Sequence, residues 1–176
     1  MIPPFAELVA ATSFSFLRGA SQPADMVTRA AQLGMAGIGI ADRNTVAGVV
    51  RAHMAWKDLG LKEQGFRLLV GARLVFADGT PDVVAYPATR HGWGRLTRLL
   101  TLGNRRAEKG DCELHLPDLL DHSDDLLLIA LEADAALMDA VGRLLCENHV
   151  FIKRDEIEKT KALEGEALRD FYIHYI

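Results

Sequence analysis

Hydrophobic and polar positions along this chain switch between two periods. Residues 5–12 (FAELVAAT) form an apolar run of strand length, closed by the polar, glycine-containing stretch SFSFLRGASQ. Ser21 and Pro23 with Asp25 in the first turn mark a helix start. Met26, Val27, Ala30, Ala31 and Leu33 then share one face of a helix that runs to about Gln32 and stops at Gly34. AGIGIAD at 36–42 has almost no polar residue, the pattern of a strand with helices over both faces of its sheet. Asn44 or Thr45 caps a second helix, with Val46, Val49, Val50, His53 and Met54 on its inner face. RLLVGARLVFAD at 67–78 is a third strand, and the Asp78-Gly79 turn leads into a return strand, DVVAYPA. A helix over 92–102 faces Trp93, Leu96, Leu99 and Leu100 inward; DLLLIAL at 125–131 is a strand and 133–145 a last helix. Strands and helices alternating through short links predict a mostly parallel α/β architecture.

Composition narrows the class without naming a function. The 176 residues suffice for one well-buried domain, and 49% hydrophobic with 25% charged residues is ordinary globular balance. No apolar stretch reaches the roughly 20 residues of a membrane span, and the N-terminus lacks a basic, secretory-type leader. A cytoplasmic location is therefore expected, with Cys112 and Cys146 as free thiols. The net charge of -4 argues against a dedicated nucleic-acid-binding module.

One stretch departs from that average. Arg90, Arg95, Arg98, Arg105, Arg106 and Lys109 lie close together with Glu108 as the only acid among them. They either meet the phosphates of nucleic acid or an acidic partner, or form a solvated face paired with acids such as Asp121, Asp124 and Asp125. Taken alone, the stretch favours the solvated face. Trp93 is its only aromatic, too few for a base-stacking platform. Beyond Cys146 a charged helical tail ends in the apolar run FYIHYI.

In α/β sheets, sites form in the loops after strand C-termini. Here these carry Thr12 to Ser15, Asp42 to Thr45, and Thr89 to His91, with Arg73 on the third strand. A metal hydrolase needs several His, Asp and Glu ligands converging there, and only Asp42 answers clearly. His53 reads as a core histidine, His115 and His122 as surface residues, and His91 as an exposed loop residue with phosphate contact as the alternative. Ser13 and Ser15 lack the G-x-S-x-G frame, and no glycine pattern fits a dinucleotide or P-loop site.

The string from FAELVAATSFSFLRGASQ through AGIGIADRNTVAG, VGARLVFADGTPDVVAYPATRHGW and DDLLLIAL resembles the PHP domain (polymerase and histidinol phosphatase) of bacterial C-family DNA polymerases. The error-prone type of DNA polymerase III alpha subunit is the nearest likeness, over roughly residues 5–131. The resemblance implies a distorted parallel β/α barrel with metal ions at the strand C-termini. It also implies that this barrel is incomplete at its C-terminal end, with a PHP-type domain over 1–146 and a divergent tail over 147–176. The family's His-x-His falls on Val9 and Ala11, its Thr-Asp-His on Ala41, Asp42 and Arg43, and a later glutamate on Arg73. Asp42 is thus the only ligand-type residue kept. A guanidinium has no lone pair to donate and stays charged, so Arg43 and Arg73 exclude a cation and are expected to pair with Asp42 across the vacant pocket.

The resemblance therefore implies a domain or fragment of an error-prone polymerase with a degenerate metal site, no metal or other cofactor, no catalytic residue of its own, and a structural role in DNA replication and repair. The rivals are an active metal-dependent phosphoesterase or 3′–5′ exonuclease, and a stand-alone interaction module. Expected partners are the remainder of the polymerase chain or its other subunits, DNA through the basic stretch, and no membrane. Open sheet edges would be covered by FYIHYI or by a second copy of the chain.

Overall fold

The computed structural model describes residues 5–132 and the backbone of a short strand at 150–152. The expected helix at 133–145, Cys146 and the rest of the tail lie outside the described residues. The elements are β1 (Ala6–Ala10), α1 (Pro23–Gln32), β2 (Gly37–Arg43), α2 (Val49–Asp58), β3 (Arg67–Leu74), β4 (Val83–Pro87), α3 (Arg90–Arg106), α4 (Leu116–Asp121), β5 (Leu126–Ala130) and β6 (Val150–Ile152). The strands form one mixed, curled half-barrel sheet in sequential order, β1 to β6. β1, β2 and β3 are parallel, β4 is antiparallel to both neighbours, and β6 is parallel to β5. The chain is therefore α/β and mostly parallel, with β4 as the one reversed strand.

Alternation along the strands sorts the apolar residues onto two faces. Ala10, Ile38 and Ile40 meet Val27 and Ala30 of α1 and Ala52 of α2. Ala72, Leu74, Val83, Ala85, Leu126 and Leu128 meet Leu96, Leu99 and Leu100 of α3 and Leu119 of α4. These helices all lie on the outer face. The inner face is closed by the sheet itself: Ala41, Val84, Tyr86 and Ile129 pack with Val9, Leu69, Leu127 and Leu131. Thus β2 is buried on both faces, as its composition requires, but curling of the sheet covers the second face where helices were expected.

Tyr86 sets how tightly that curl can close. Its hydroxyl donates to the Leu8 carbonyl at 2.7 Å, crossing β2 and β3 on the way. The ring fits because Gly39 and Gly71 lie beneath it. A Cβ on Gly39 would sit 2.3 Å from the hydroxyl oxygen, and one on Gly71 2.3 Å from the Ala85 carbonyl oxygen and 2.7 Å from the ring. Burial pushes the phenol up, keeping it a neutral donor.

The first helix begins at Pro23 and ends before Gly34 (φ +71°), as its sequence predicts. The second is rotated from its expected setting. Ala52 is its fully buried residue, while Val50 and Met54 are 70% and 48% exposed. His53 is exposed too, stacked on Trp56 at a centroid distance of 5.5 Å, and is not a core histidine. The Trp56 indole donates to the Phe66 carbonyl at 2.9 Å and fixes this rotation, while small Ala52 admits the close approach of α2 to the core. Asn44 does not cap α2. Its side-chain amide bonds both Val75 N–H and C=O, at 2.8 and 3.1 Å, and prolongs the β2–β3 ladder.

Replacing Gly71 with alanine should lower stability by about 1–3 kcal/mol, because the new methyl overlaps backbone that cannot move aside. Tyr86→Phe should cost about 1 kcal/mol through the lost Leu8 bond. Urea-unfolding midpoints check both, and an unshifted midpoint for Gly71→Ala contradicts the packing described.

Candidate functional site

The C-terminal ends of β1, β2 and β3 gather at one rim of the sheet, and Asp42 is the buried carboxylate there, 1% exposed. It shares the outer-face parity of Ile38 and Ile40. Its Oδ1 accepts the Thr12 N–H at 2.7 Å and the Ser15 hydroxyl at 2.6 Å, and its Oδ2 accepts the Thr12 hydroxyl at 2.7 Å. Each hydroxyl also accepts: Thr12 Oγ1 from Phe14 N–H at 3.2 Å, and Ser15 Oγ from Arg43 N–H at 3.0 Å. The carboxylate thereby orders the loop after β1, and Phe14 from that loop packs beneath the Arg51 guanidinium, 5.6 Å from the ring centroid.

Arg43 and Arg73 are register partners on β2 and β3. By alternation from Ala41 and Leu69 they share the inner face with Val9, whereas Asp42 points to the other side. The expected pairing of these arginines with Asp42 is not what forms. Arg73 instead holds Asp82, with Nε at 2.7 Å and Nη2 at 2.6 Å from one carboxylate oxygen. Asp42 accepts three hydroxyl and amide donors on the opposite face of the sheet, away from both guanidinium groups. Arg43 is exposed and has no ion pair among the described residues. Ala11, half-buried, lies just past the end of β1.

Among the described residues, this donor set offers a metal ion a single carboxylate. The positions of the four expected ligands hold two aliphatic and two guanidinium side chains, and the remaining carboxylate is committed to three hydrogen bonds. Among the described residues, no three His, Cys, Asp or Glu side chains gather. The rim is instead joined strand by strand. Asp42 links β2 to the β1 loop, Asn44 links β2 to the segment after β3, Arg73 links β3 to Asp82 before β4, and the Leu131 N–H after β5 donates to the Asp82 carbonyl.

Reversal of β4 carries Thr89, Arg90 and His91 to the opposite end of the sheet from Asp42. There the Thr89 hydroxyl donates to Asp125 at 2.7 Å and His91 Nδ1 lies 3.2 Å from it. The basic stretch divides in two. Arg95 pairs with Asp124 at 2.8 Å and bonds the Asp121 carbonyl. Arg106 makes a two-pronged pair with Asp118, at 2.7 and 3.0 Å. Arg90, Arg98, Arg105 and Lys109 are exposed and have no ion pair among the described residues. Cys112 is a half-buried free thiol, its pKa raised by burial.

Sequence reasoning did not assign roles to Thr12, Asp82 or Asp118, weighed Ser15 only as a nucleophile, and gave Asn44 only as a helix cap. The hydroxyls flanking a strand end opposite a buried aspartate were the available signal for Thr12 and Ser15. Asp82, just before an apolar return strand and across the hairpin from Arg73, was the signal for the ion pair.

Two consequences can be measured. Asp42→Ala orphans the Thr12 amide and two hydroxyls and should cost about 3 kcal/mol, with Ser15→Ala costing about 1 kcal/mol, read from denaturant midpoints. Arg106, through its hydrogen bonds and charge, holds the Asp118 carboxyl below its ordinary value of 3.8. The folded state therefore releases that proton more readily than the unfolded one. The resulting stabilisation is complete above pH 3.8 and fades as pH falls through the lower, folded-state value. The stability gap between the parent chain and Asp118→Asn should thus hold above about pH 3.8 and narrow as pH is lowered below it.

Comparison with known proteins places this geometry. A family model described as the PHP domain matches residues 7–173. Error-prone DNA polymerase 1 of Rhizobium meliloti (strain 1021) is 56% identical over 130 residues, covering 74% of this chain and 11% of the polymerase. The error-prone DNA polymerase of Brucella abortus biovar 1 is 52% identical over 142 residues, 80% of this chain and 13% of that protein. The chain thus spans about an eighth or less of these relatives' length. Among solved structures, a proposed metal-dependent phosphoesterase of Bifidobacterium adolescentis superposes with a TM-score of 0.56 at 16% identity, covering 96% of this chain and 85% of its own. An amidohydrolase of Chromobacterium violaceum gives a TM-score of 0.53 at 13% identity, covering 89% and 81%. At those identities they attest the fold alone: an incomplete, PHP-type distorted barrel. With the profile matched over nearly its whole length, the chain belongs to the PHP domain family, in the form found within error-prone DNA polymerases.

Proposed function

We propose that this chain is the PHP portion of an error-prone DNA polymerase in which the metal site has been lost and the domain serves as a structural support. The observation that carries this reading is the state of Asp42. Its two oxygens are taken by Thr12 and Ser15, and it faces away from the side of the sheet that holds Val9, Arg43 and Arg73. A divalent ion at Asp42 would find no convergent lone pairs among the described residues, and one on the opposite face would meet the fixed positive charges of Arg43 and Arg73. The strand-to-strand links along the rim give the same residues a mechanical use. The remainder of a polymerase chain and its subunits are the partners this reading supplies, and the parent's role is DNA replication and repair.

The test is metal uptake with a hydrolysis assay. The chain is equilibrated with Mn²⁺ or Zn²⁺, desalted and analysed for bound metal, then assayed with a generic phosphoester and with a 3′-labelled oligonucleotide. Metal well below one ion per chain and hydrolysis at the buffer rate are expected. Stoichiometric metal retention abolished by Asp42→Ala, or metal-dependent hydrolysis, would favour an active phosphoesterase or exonuclease.

A further inference from the structure

The six basic residues between Arg90 and Lys109 are not equivalent. Arg95 and Arg106 are committed to Asp124 and Asp118. Arg90 begins α3 about 80° around the helix from Arg98, and Lys109 lies beyond its end. Arg98 and Arg105 are left. They stand seven residues apart, which on an α-helix means nearly one line along the axis with a rise of about 10.5 Å. Both are exposed, and together with Gly94, Thr101 and His122 they line an open groove of about 730 Å³.

The lining of that groove limits what it can hold. Among the described residues no carboxylate borders it, and Leu102 is its one large aliphatic residue, so an apolar peptide finds little to bury. Among the described residues His122 is the one aromatic ring at its border, held to the Asp118 carbonyl at 2.9 Å, and a single imidazole makes no stacking platform for unpaired bases. The Thr101 hydroxyl donates to the Thr97 carbonyl at 2.7 Å, and the Thr97 hydroxyl to the Trp93 carbonyl at 2.9 Å. Their protons are spent on the helix, and the two guanidinium groups are the charged donors that remain. A Cβ built on Gly94 meets nothing within 4 Å, so the floor of the groove is open to a bulky ligand.

We propose that this face of α3 contacts the sugar-phosphate backbone of duplex DNA, with Arg98 and Arg105 each neutralising a phosphate. The inference rests on the reading that the domain serves a DNA polymerase, and it adds a surface to that reading. With long flexible stems on backbone positions about 10.5 Å apart, the two guanidinium groups can reach separate phosphates of one backbone, and a guanidinium fork suits the bidentate geometry of a phosphate. Without base-edge or stacking partners the contact is sequence-independent.

Binding of the intact 176-residue chain to a fluorescently labelled DNA duplex, measured over a series of salt concentrations, tests this. Each phosphate contact contributes about 0.9 to the slope of log affinity against log salt. The double variant Arg98→Gln, Arg105→Gln should therefore weaken binding and flatten the slope by about 1.8. Arg67→Gln, an exposed cation at the start of β3 and outside the groove, should leave the slope unchanged. Equal urea-unfolding midpoints for all three proteins show that folding is intact. An absence of duplex binding by the parent chain, an unchanged slope in the double variant, or an equal loss in Arg67→Gln overturns the proposal. So does tighter binding of polyglutamate than of DNA at the same salt, which would make the partner an acidic polypeptide. Metal uptake and hydrolysis are separate readouts, so failure here leaves the structural reading of the rim standing.

Discussion

A carboxyl group that is 1% exposed must find hydrogen-bond partners, because burial without them costs several kcal/mol. Asp42 finds three donors, all from the loop after β1, and the conformation of that loop follows from the requirement. Thr12 and Ser15 must turn toward β2, which brings the backbone back on itself so closely that a Cβ on Gly19 would lie 2.1 Å from the Thr12 carbonyl oxygen. Leu17 takes a left-handed conformation (φ 60°) at the tip, an unusual state for a branched side chain and one that the surrounding turn must hold. β1 needs this tether. It is an edge strand with a register shift between Glu7 and Ala10, and the Glu7 carboxylate accepts the Val9 N–H at 2.7 Å.

How much of this the sequence discloses depends on the range of the interaction. The first helix is legible because Pro23, Asp25 and Gly34 act locally. The second is legible as a helix but not in its rotation. Positions 49, 50, 53 and 54 are as regular a stripe as the one that is buried. The choice between them was made by Ala52 and by a Trp56–Phe66 hydrogen bond that no periodicity encodes. β2 announces its burial on both faces, yet Gly39 and Gly71 become meaningful only when Tyr86 arrives from a different strand to lie over them. The altered ligand positions could be read from the resemblance, residue by residue. The partner of Arg73 could not, because alternation places it on the opposite face from Asp42 and within reach of Asp82.

The division of charge on α3 follows the same logic of range. Arg95 and Arg106 are i and i+11 on the helix, and each faces an acid on the 113–125 segment that packs beside it. Arg98 and Arg105 stand about 60–100° around the helix from those two and share a groove with His122 of that segment but, among the described residues, pair with none of its acids, so nearby acids that balance the charge count do not balance these two positions. A near-neutral composition and a cationic groove are compatible because ion pairing is decided by facing surfaces, while net charge is a sum over all of them.

A metal ligated by several strand ends acts as a single cross-link whose strength depends on every ligand being present. The rim of this sheet is organised differently. Asp42, Asn44, Arg73 and the Asp82 carbonyl each join one neighbouring pair, in series from β1 to β5, and no one contact spans more than two strands. Such a chain tolerates change at any one link at the cost of that link alone, and it needs no particular ion in its surroundings.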